Sequence, residues 1–196
     1  MLVCLMDMSS NIYYWLSRSL SRLWVNGWLM VGLLSVHSSQ VFGVKYLTPN
    51  DAKTLIWNDV SMVKVPIELT KTQIRTIQTS SKTYVRNKTP HVWKTIHGGW
   101  FILDQVIGKH ENIDIAIGID ANGAIQGVEV LEYRETYGDA VRHPAWLAQF
   151  LGKTGEKILK LDRDIKNISG ATLSSRHITD GVNRWLATWE HVLSQK

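Results

Sequence analysis

Residues 113–133 constrain the fold of this chain more than any other stretch. Isoleucine returns at every second position from Ile113 to Ile119, with Asp114, Ala116 and Gly118 between. A period of two sends alternate side chains to opposite faces, so the run reads as a strand with one strongly apolar face. Asp120-Ala121-Asn122-Gly123 follows as a turn signal, and residues 124–133 return as a second strand. Together they predict an antiparallel hairpin. Residues 91–95 and 100–107 are also β-rich.

Helices flank these strands. Thr48, Pro49 and Asp51 supply a cap, a first-turn proline and an early acid for a short helix over 52–57. Ile74 and Ile77 share a side of a second helix over 71–79, and His143-Pro144 opens a third that runs to Phe150. Residues 151–166 read as loop or short strand. From Ser174 to the end, Ile178, Val182, Trp185, Leu186, Trp189 and Leu193 recur at helical spacing and form one apolar stripe. The fold class is α+β: an antiparallel sheet with packed helices, closed by a C-terminal amphipathic helix.

Composition narrows what such a fold can do. At 196 residues and 44% hydrophobic content, the chain can bury a genuine core in one main domain. The net charge of +5 is scattered among acids, as in Asp162-Arg163-Asp164, so the basic stripe needed to track nucleic acid is missing. Cys4 is the only cysteine. That excludes disulfides, CxxC redox pairs, thiolate zinc and iron–sulfur clusters. Electron transfer would need an organic cofactor or a histidine-ligated metal, and the seven histidines show no metal-ligand spacing. No Ser/His/Asp arrangement, GxGxxG or P-loop spacing is present either.

An apolar run over 23–36 follows Arg18 and Arg22 and precedes Ser38, Ser39 and Gly43. This has the shape of a secretory signal cut near Ser39 or Gly43, or of an uncleaved anchor. The organisation expected is a signal or anchor over 1–43, a helical extension over 44–90 and the main domain over 91–196. The domain is expected to be exported, either periplasmic or anchored at the outer face of the cytoplasmic membrane.

The run Ile168-Ser169-Gly170-Ala171-Thr172-Leu173-Ser174-Ser175 sits where the last helix begins. The first N–H groups of a helix lack intrahelical partners and attract anions. Gly170 allows close backbone approach, and Ser169, Ser174 and Ser175 can donate to phosphate oxygens. Ser174 and Ser175 read equally well as helix caps.

Several segments agree in order and spacing with one family. Gly99-Trp100-Phe101, Gly108-Lys109-His110-Glu111, the hairpin, Glu132-Tyr133-Arg134-Glu135-Thr136-Tyr137-Gly138, Gln149-Phe150, Gly152-Lys153 and the terminal helix together resemble the extracytoplasmic FMN-binding domain. That domain occurs in one subunit of the sodium-translocating NADH:quinone reductase and in the corresponding subunit of the related electron-transport complex. It also occurs in small stand-alone FMN-binding proteins, which are closer still. The resemblance covers residues 93–193. It implies that Ser169-Gly170-Ala171-Thr172 is a flavinylation motif whose Thr172 hydroxyl carries FMN through a phosphoester, attached from FAD by a magnesium-dependent flavin transferase. The family often has an acid six residues before that threonine, whereas this chain has Lys166, and its nearest acid is Asp164.

The resemblance also places the Glu135-Thr136-Tyr137-Gly138 region against the flavin, with Thr136 at the ring edge and Gly138 allowing close approach. Glu135 reads alternatively as a surface partner of Arg134 or Arg142. Lys109 reads as a cation near the ring or as a turn charge pair with Glu111. Trp100 and Trp146 read as core or as stacking partners. Two functions follow from different classes. One is an exported electron carrier, more a carrier than a turnover enzyme, that exchanges electrons with a membrane or extracytoplasmic redox partner. The other is a non-catalytic partner-binding or regulatory module that binds flavin reversibly or not at all.

Overall fold

The computed structural model describes residues 44–196. The apolar run 23–36 and the expected cleavage sites therefore lie outside the described residues. The described elements are β1 (Val44–Lys45), α1 (Pro49–Trp57), β2 (Met62–Val65), α2 (Lys71–Ser81), β3 (His91–Thr95), β4 (Trp100–Ile107), β5 (Asn112–Ile119), β6 (Ile125–Tyr133), α3 (Pro144–Leu147) and α4 (Thr172–His191). Short 3-10 turns cover Asp139–Arg142, Ala148–Phe150 and Leu193–Gln195. The six strands form one antiparallel sheet in the order β1-β6-β5-β4-β3-β2.

The hairpin forms for the reasons its residues give. Asp120 Oδ1 accepts from the backbone N–H groups of Asn122 (2.8 Å) and Ala124 (2.9 Å), which closes the turn. Gly123 takes φ +88°, and a Cβ there would stand 2.4 Å from the Trp189 ring. The turn and the terminal helix therefore both require glycine at this position. Ile113, Ile115, Ile117 and Ile119 are all fully buried on the face that meets α4, together with Ile178, Val182, Trp185 and Leu186. Arg184 of α4 ion-pairs with Asp104 of β4, and the Trp185 indole N–H donates to the same carboxylate at 2.6 Å. The helix thus meets the sheet through both apolar and ionic contacts.

The opposite face of the sheet holds a smaller core of Phe101, Ala116 and Leu131 under Ala52 and Ile56 of α1. Capping boxes start both N-terminal helices: Thr48 with Asp51 and Thr70 with Gln73. The stretch 44–90 is more than the helical extension expected, because it also supplies β1 and β2, the two edges of the sheet. β1 is two residues long, and β2 has Val63 and Lys64 turned to solvent. Neither offers the alternation by which strands are recognised.

The long segment 151–171 contains one isolated bridge, Leu161 to Ile165, in place of a strand. Its shape is fixed from outside. The Asn183 carboxamide accepts from the Leu159 N–H (2.9 Å) and donates to the Leu159 carbonyl (3.0 Å), pairing with it as a neighbouring strand would. Leu159 itself is buried. This segment delivers the chain to the start of α4.

Candidate functional site

Helix α4 begins at Thr172, two residues earlier than the apolar stripe suggests, with Ala171 at the N-cap. Alanine has no cap-forming oxygen, and no side chain caps this end. Ser174 and Ser175 are therefore not caps. They fall inside the first turn, where Ser174 Oγ lies 3.0 Å from the Tyr133 hydroxyl and Ser175 Oγ is buried with no hydrogen-bond partner among the described residues. Thr172 is half-buried, and its Oγ1 accepts from Asn167 Nδ2 at 3.2 Å. Ser169 and Gly170 are exposed. Gly170 takes φ +82°, with open space where a Cβ would be.

The loop leaving β6 closes over this helix start. The Tyr133 hydroxyl donates to the Tyr137 carbonyl at 2.6 Å while it meets Ser174. Burial is the main reason the Tyr133 phenol stands above its ordinary pKa, so it stays a donor at neutral pH. Gly138 adopts φ +95°, and a Cβ there would lie 2.7 Å from the Tyr133 oxygen and 3.1 Å from Ala171 Cβ. The Glu-Thr-Tyr-Gly loop and the Ser-Gly-Ala-Thr run, thirty-odd residues apart in sequence, are thus in direct contact.

Glu135 takes neither partner expected of it on the surface. Arg134 bonds Asp114 (2.7 Å) and Glu132 (2.9 Å), and Arg142 reaches Asp139 (3.5 Å). Glu135 Oε1 instead accepts from the backbone N–H groups of His110 (2.5 Å) and Glu111 (3.0 Å). Desolvation opposes its charge, but the N–H groups of Glu111, His110 and Lys109 outweigh it and hold the carboxyl below its usual range. The β4–β5 turn, with Lys109 exposed at its tip, is therefore tied to the loop that carries Thr136 and Gly138. Thr136 is exposed, and Lys109 forms no ion pair with Glu111 among the described residues. Trp100 (1% exposed) is core. Trp146 (6% exposed) is core as well, and it donates its indole N–H to the Lys166 carbonyl at 2.7 Å.

Three residues at this end were not singled out by sequence. His177, on the second turn of α4, places Nδ1 3.1 Å from the Gly108 carbonyl and so joins the same turn that Glu135 holds. Tyr133 and Asn167 make the contacts above. Only the motif segments containing Tyr133 hinted at such a role.

The arrangement fits a phosphate-linked flavin on physical grounds. An uncapped helix start leaves its first N–H groups for an anion, Gly170 leaves room beside them, and the buried Ser175 hydroxyl has an unused bond. Leu173 (40% exposed) and Tyr137 (84% exposed) present apolar surface next to Thr172 and Gly138, the kind of wall a planar ring system lies against.

The chain matches the FMN-binding domain family over residues 108–187. It is homologous to the G-type subunit of the Na(+)-translocating ferredoxin:NAD(+) oxidoreductase complex of Acetobacterium woodii, at 28% identity over 94 residues (43% of this chain, 45% of the relative). It is also homologous to the G-type subunit of the ion-translocating oxidoreductase complex of Aliivibrio fischeri strain MJ11, at 32% identity over 100 residues (45% of this chain, 47% of the relative). The chain spans just under half the length of these curated relatives. The crystal structure of Shewanella oneidensis NqrC aligns at TM-score 0.48 and 19% identity, over 66% of this chain and 68% of that one.

Proposed function

We propose that this protein is an exported electron carrier whose FMN is joined to the Thr172 hydroxyl through a phosphoester. One observation carries the reading. Thr172 opens an uncapped helix, and the Gly138 loop is packed on the residue before it. The FMN would supply reversible transfer of one or two electrons. The chain's own residues have separate tasks. The N–H groups of the first turn of α4, with Ser169, Ser174 and Ser175 beside them, hold the phosphate charge. A helix start stabilises such a charge by about 0.3–1 kcal/mol when exposed. The loop carrying Glu135, Thr136 and Gly138 would help hold the flavin ring, and Lys109 would supply a cation from the neighbouring turn.

A covalent tether suits an exported domain, because a dissociating flavin would be lost outside the membrane. Maturation then requires a flavin transferase that takes FAD. The relatives are named as subunits of ion-translocating oxidoreductase complexes, which supports a membrane redox partner for this chain. No helix among the described residues is long and apolar enough to cross a membrane, so attachment would rest on the leader or on a partner.

The test is the intact mass of the denatured protein after co-production with a flavin transferase. The expected result is an increment of one FMN less water, absent in Thr172→Val. A folded, unmodified wild type that binds flavin reversibly or not at all would favour the partner-binding or regulatory module instead.

A further inference from the structure

We infer that the Asn167 carboxamide is the positioning group for the Thr172 hydroxyl during its modification, an inference that rests on the phosphoester proposed above. Asn167 lies five residues before Thr172, in the loop entering α4. The Ile168 N–H donates to Asn167 Oδ1 at 2.8 Å. That bond settles which end of the amide faces which way, because only the oxygen can accept it. Nδ2 is left to face Thr172 and donates to Oγ1 at 3.2 Å.

The loop does not depend on this contact for its place. One residue upstream, the Lys166 N–H donates to Gln149 Oε1 at 2.8 Å, and the Lys166 carbonyl accepts from the buried Trp146 indole at 2.7 Å. One residue downstream, the Ile168 carbonyl accepts from the Ala171 N–H at 3.0 Å. Asn167 is thus carried on a fixed stretch of backbone, with its amide aimed at the only threonine of the motif.

Free threonine splits among χ1 wells, even at a helix start. Donation from Asn167 selects one well and occupies one lone pair of Oγ1. The other lone pair and the hydroxyl proton remain for reaction. In the transfer, Oγ1 forms a bond to the phosphorus that bears the riboflavin of FAD. The bond from that phosphorus to the bridging oxygen breaks, and AMP leaves with the electron pair. The hydroxyl proton passes to a base of the transferase, and nothing is oxidised or reduced. Fixing the nucleophile's direction is worth large factors when reacting atoms must align.

The experiment uses the full chain before modification, a magnesium-dependent flavin transferase and FAD, with initial rates read from intact mass. In Asn167→Ala the maximal rate is expected to fall at least tenfold, with the KM for the acceptor protein within twofold of wild type. Asn167→Asp keeps the shape and the bond from the Ile168 N–H, and its carboxylate accepts the Thr172 hydroxyl instead of donating to it. Its rate is expected to recover to within about threefold of wild type. A wild-type rate in Asn167→Ala, or an Asn167→Asp as slow as Asn167→Ala, overturns the inference. A wild type that gains no mass removes the phosphoester reading itself, an outcome distinct from both. Melting temperatures of both variants separate a lost fold from a lost orientation.

Discussion

The Tyr133 hydroxyl stands 3.0 Å from Ser174 Oγ and donates to the Tyr137 carbonyl at 2.6 Å. One phenol therefore ties the last residue of β6, the loop beyond it and the first turn of α4. Tyr133→Phe keeps the ring and deletes both bonds. An unsatisfied buried polar group costs about 1–3 kcal/mol, so urea denaturation should show a loss of about 1–2 kcal/mol. FMN incorporation should fall with it, because the loop and the helix start would no longer be held together. An unchanged urea midpoint would mean that packing alone seats the loop.

Gly138→Ala attacks the same junction through the backbone. The φ of +95° is strained for any residue with a Cβ, and the added carbon would sit 2.7 Å from the Tyr133 oxygen. A loss of about 2 kcal/mol or more is expected from conformation and overlap together. Gly152→Ala is the control. It also has positive φ (+70°), but no atom lies within 4 Å of the added carbon, so it should lose stability without losing flavin incorporation. Equal incorporation defects in the two variants would argue against a specific role for Gly138.

Glu135 gives the site a pH dependence of definite sign. Its folded pKa lies below the ordinary carboxylate value because backbone N–H groups of the β4–β5 turn hold the charged form. Such a group contributes stability that is present above the unfolded pKa of about 4.3 and is lost as pH falls through the lower folded value. The stability difference between wild type and Glu135→Gln should therefore be largest near neutral pH and shrink below about pH 4. Chemical denaturation at a series of pH values measures it. A difference that grows on acidification would contradict the assigned cause.

Sequence made the sheet and the terminal helix legible because their signals are local and repeated. The isoleucine alternation from 113 to 119 and the stripe from Ile178 to Trp189 each bury one face, and each appears where expected. The edge strands β1 and β2 were not legible, being short and largely exposed. At the site, the motif indicated Thr172 and Gly138 but not what joins them. The Tyr133–Ser174 bond and the Gly138–Ala171 contact link segments more than thirty residues apart, and no periodicity encodes them. The alternative reading of Glu135 as an arginine partner failed for a related reason. Charge neighbours in sequence suggested arginine, but the chain folds its carboxylate onto backbone N–H groups 24 and 25 residues away.

Lys166 is where this chain departs from the acid that the family often carries six residues before the modified threonine, and Asp164, the nearest acid upstream, is engaged within its own loop. Asp164 accepts from Lys157 Nζ (2.7 Å), from the Lys160 N–H (3.0 Å) and from Arg163. Lys157 foremost, with these others, holds its carboxyl far below the usual range. Its side chain is 5% exposed, leaving little for a transferase to touch. Lys166, by contrast, hydrogen-bonds through its backbone, to Gln149 and Trp146, and its side chain is exposed. Lys166→Asp should therefore leave stability within about 0.5 kcal/mol of wild type, as for other surface changes. If the transferase reads an acid at this position, the same variant should raise the initial rate of FMN attachment severalfold. The paired variant Asp164→Asn should leave the rate unchanged while weakening the 157–164 loop. A Lys166→Asp protein modified no faster than wild type would mean that the acid is dispensable here, and that the uncapped helix start and the seated Thr172 hydroxyl suffice for recognition.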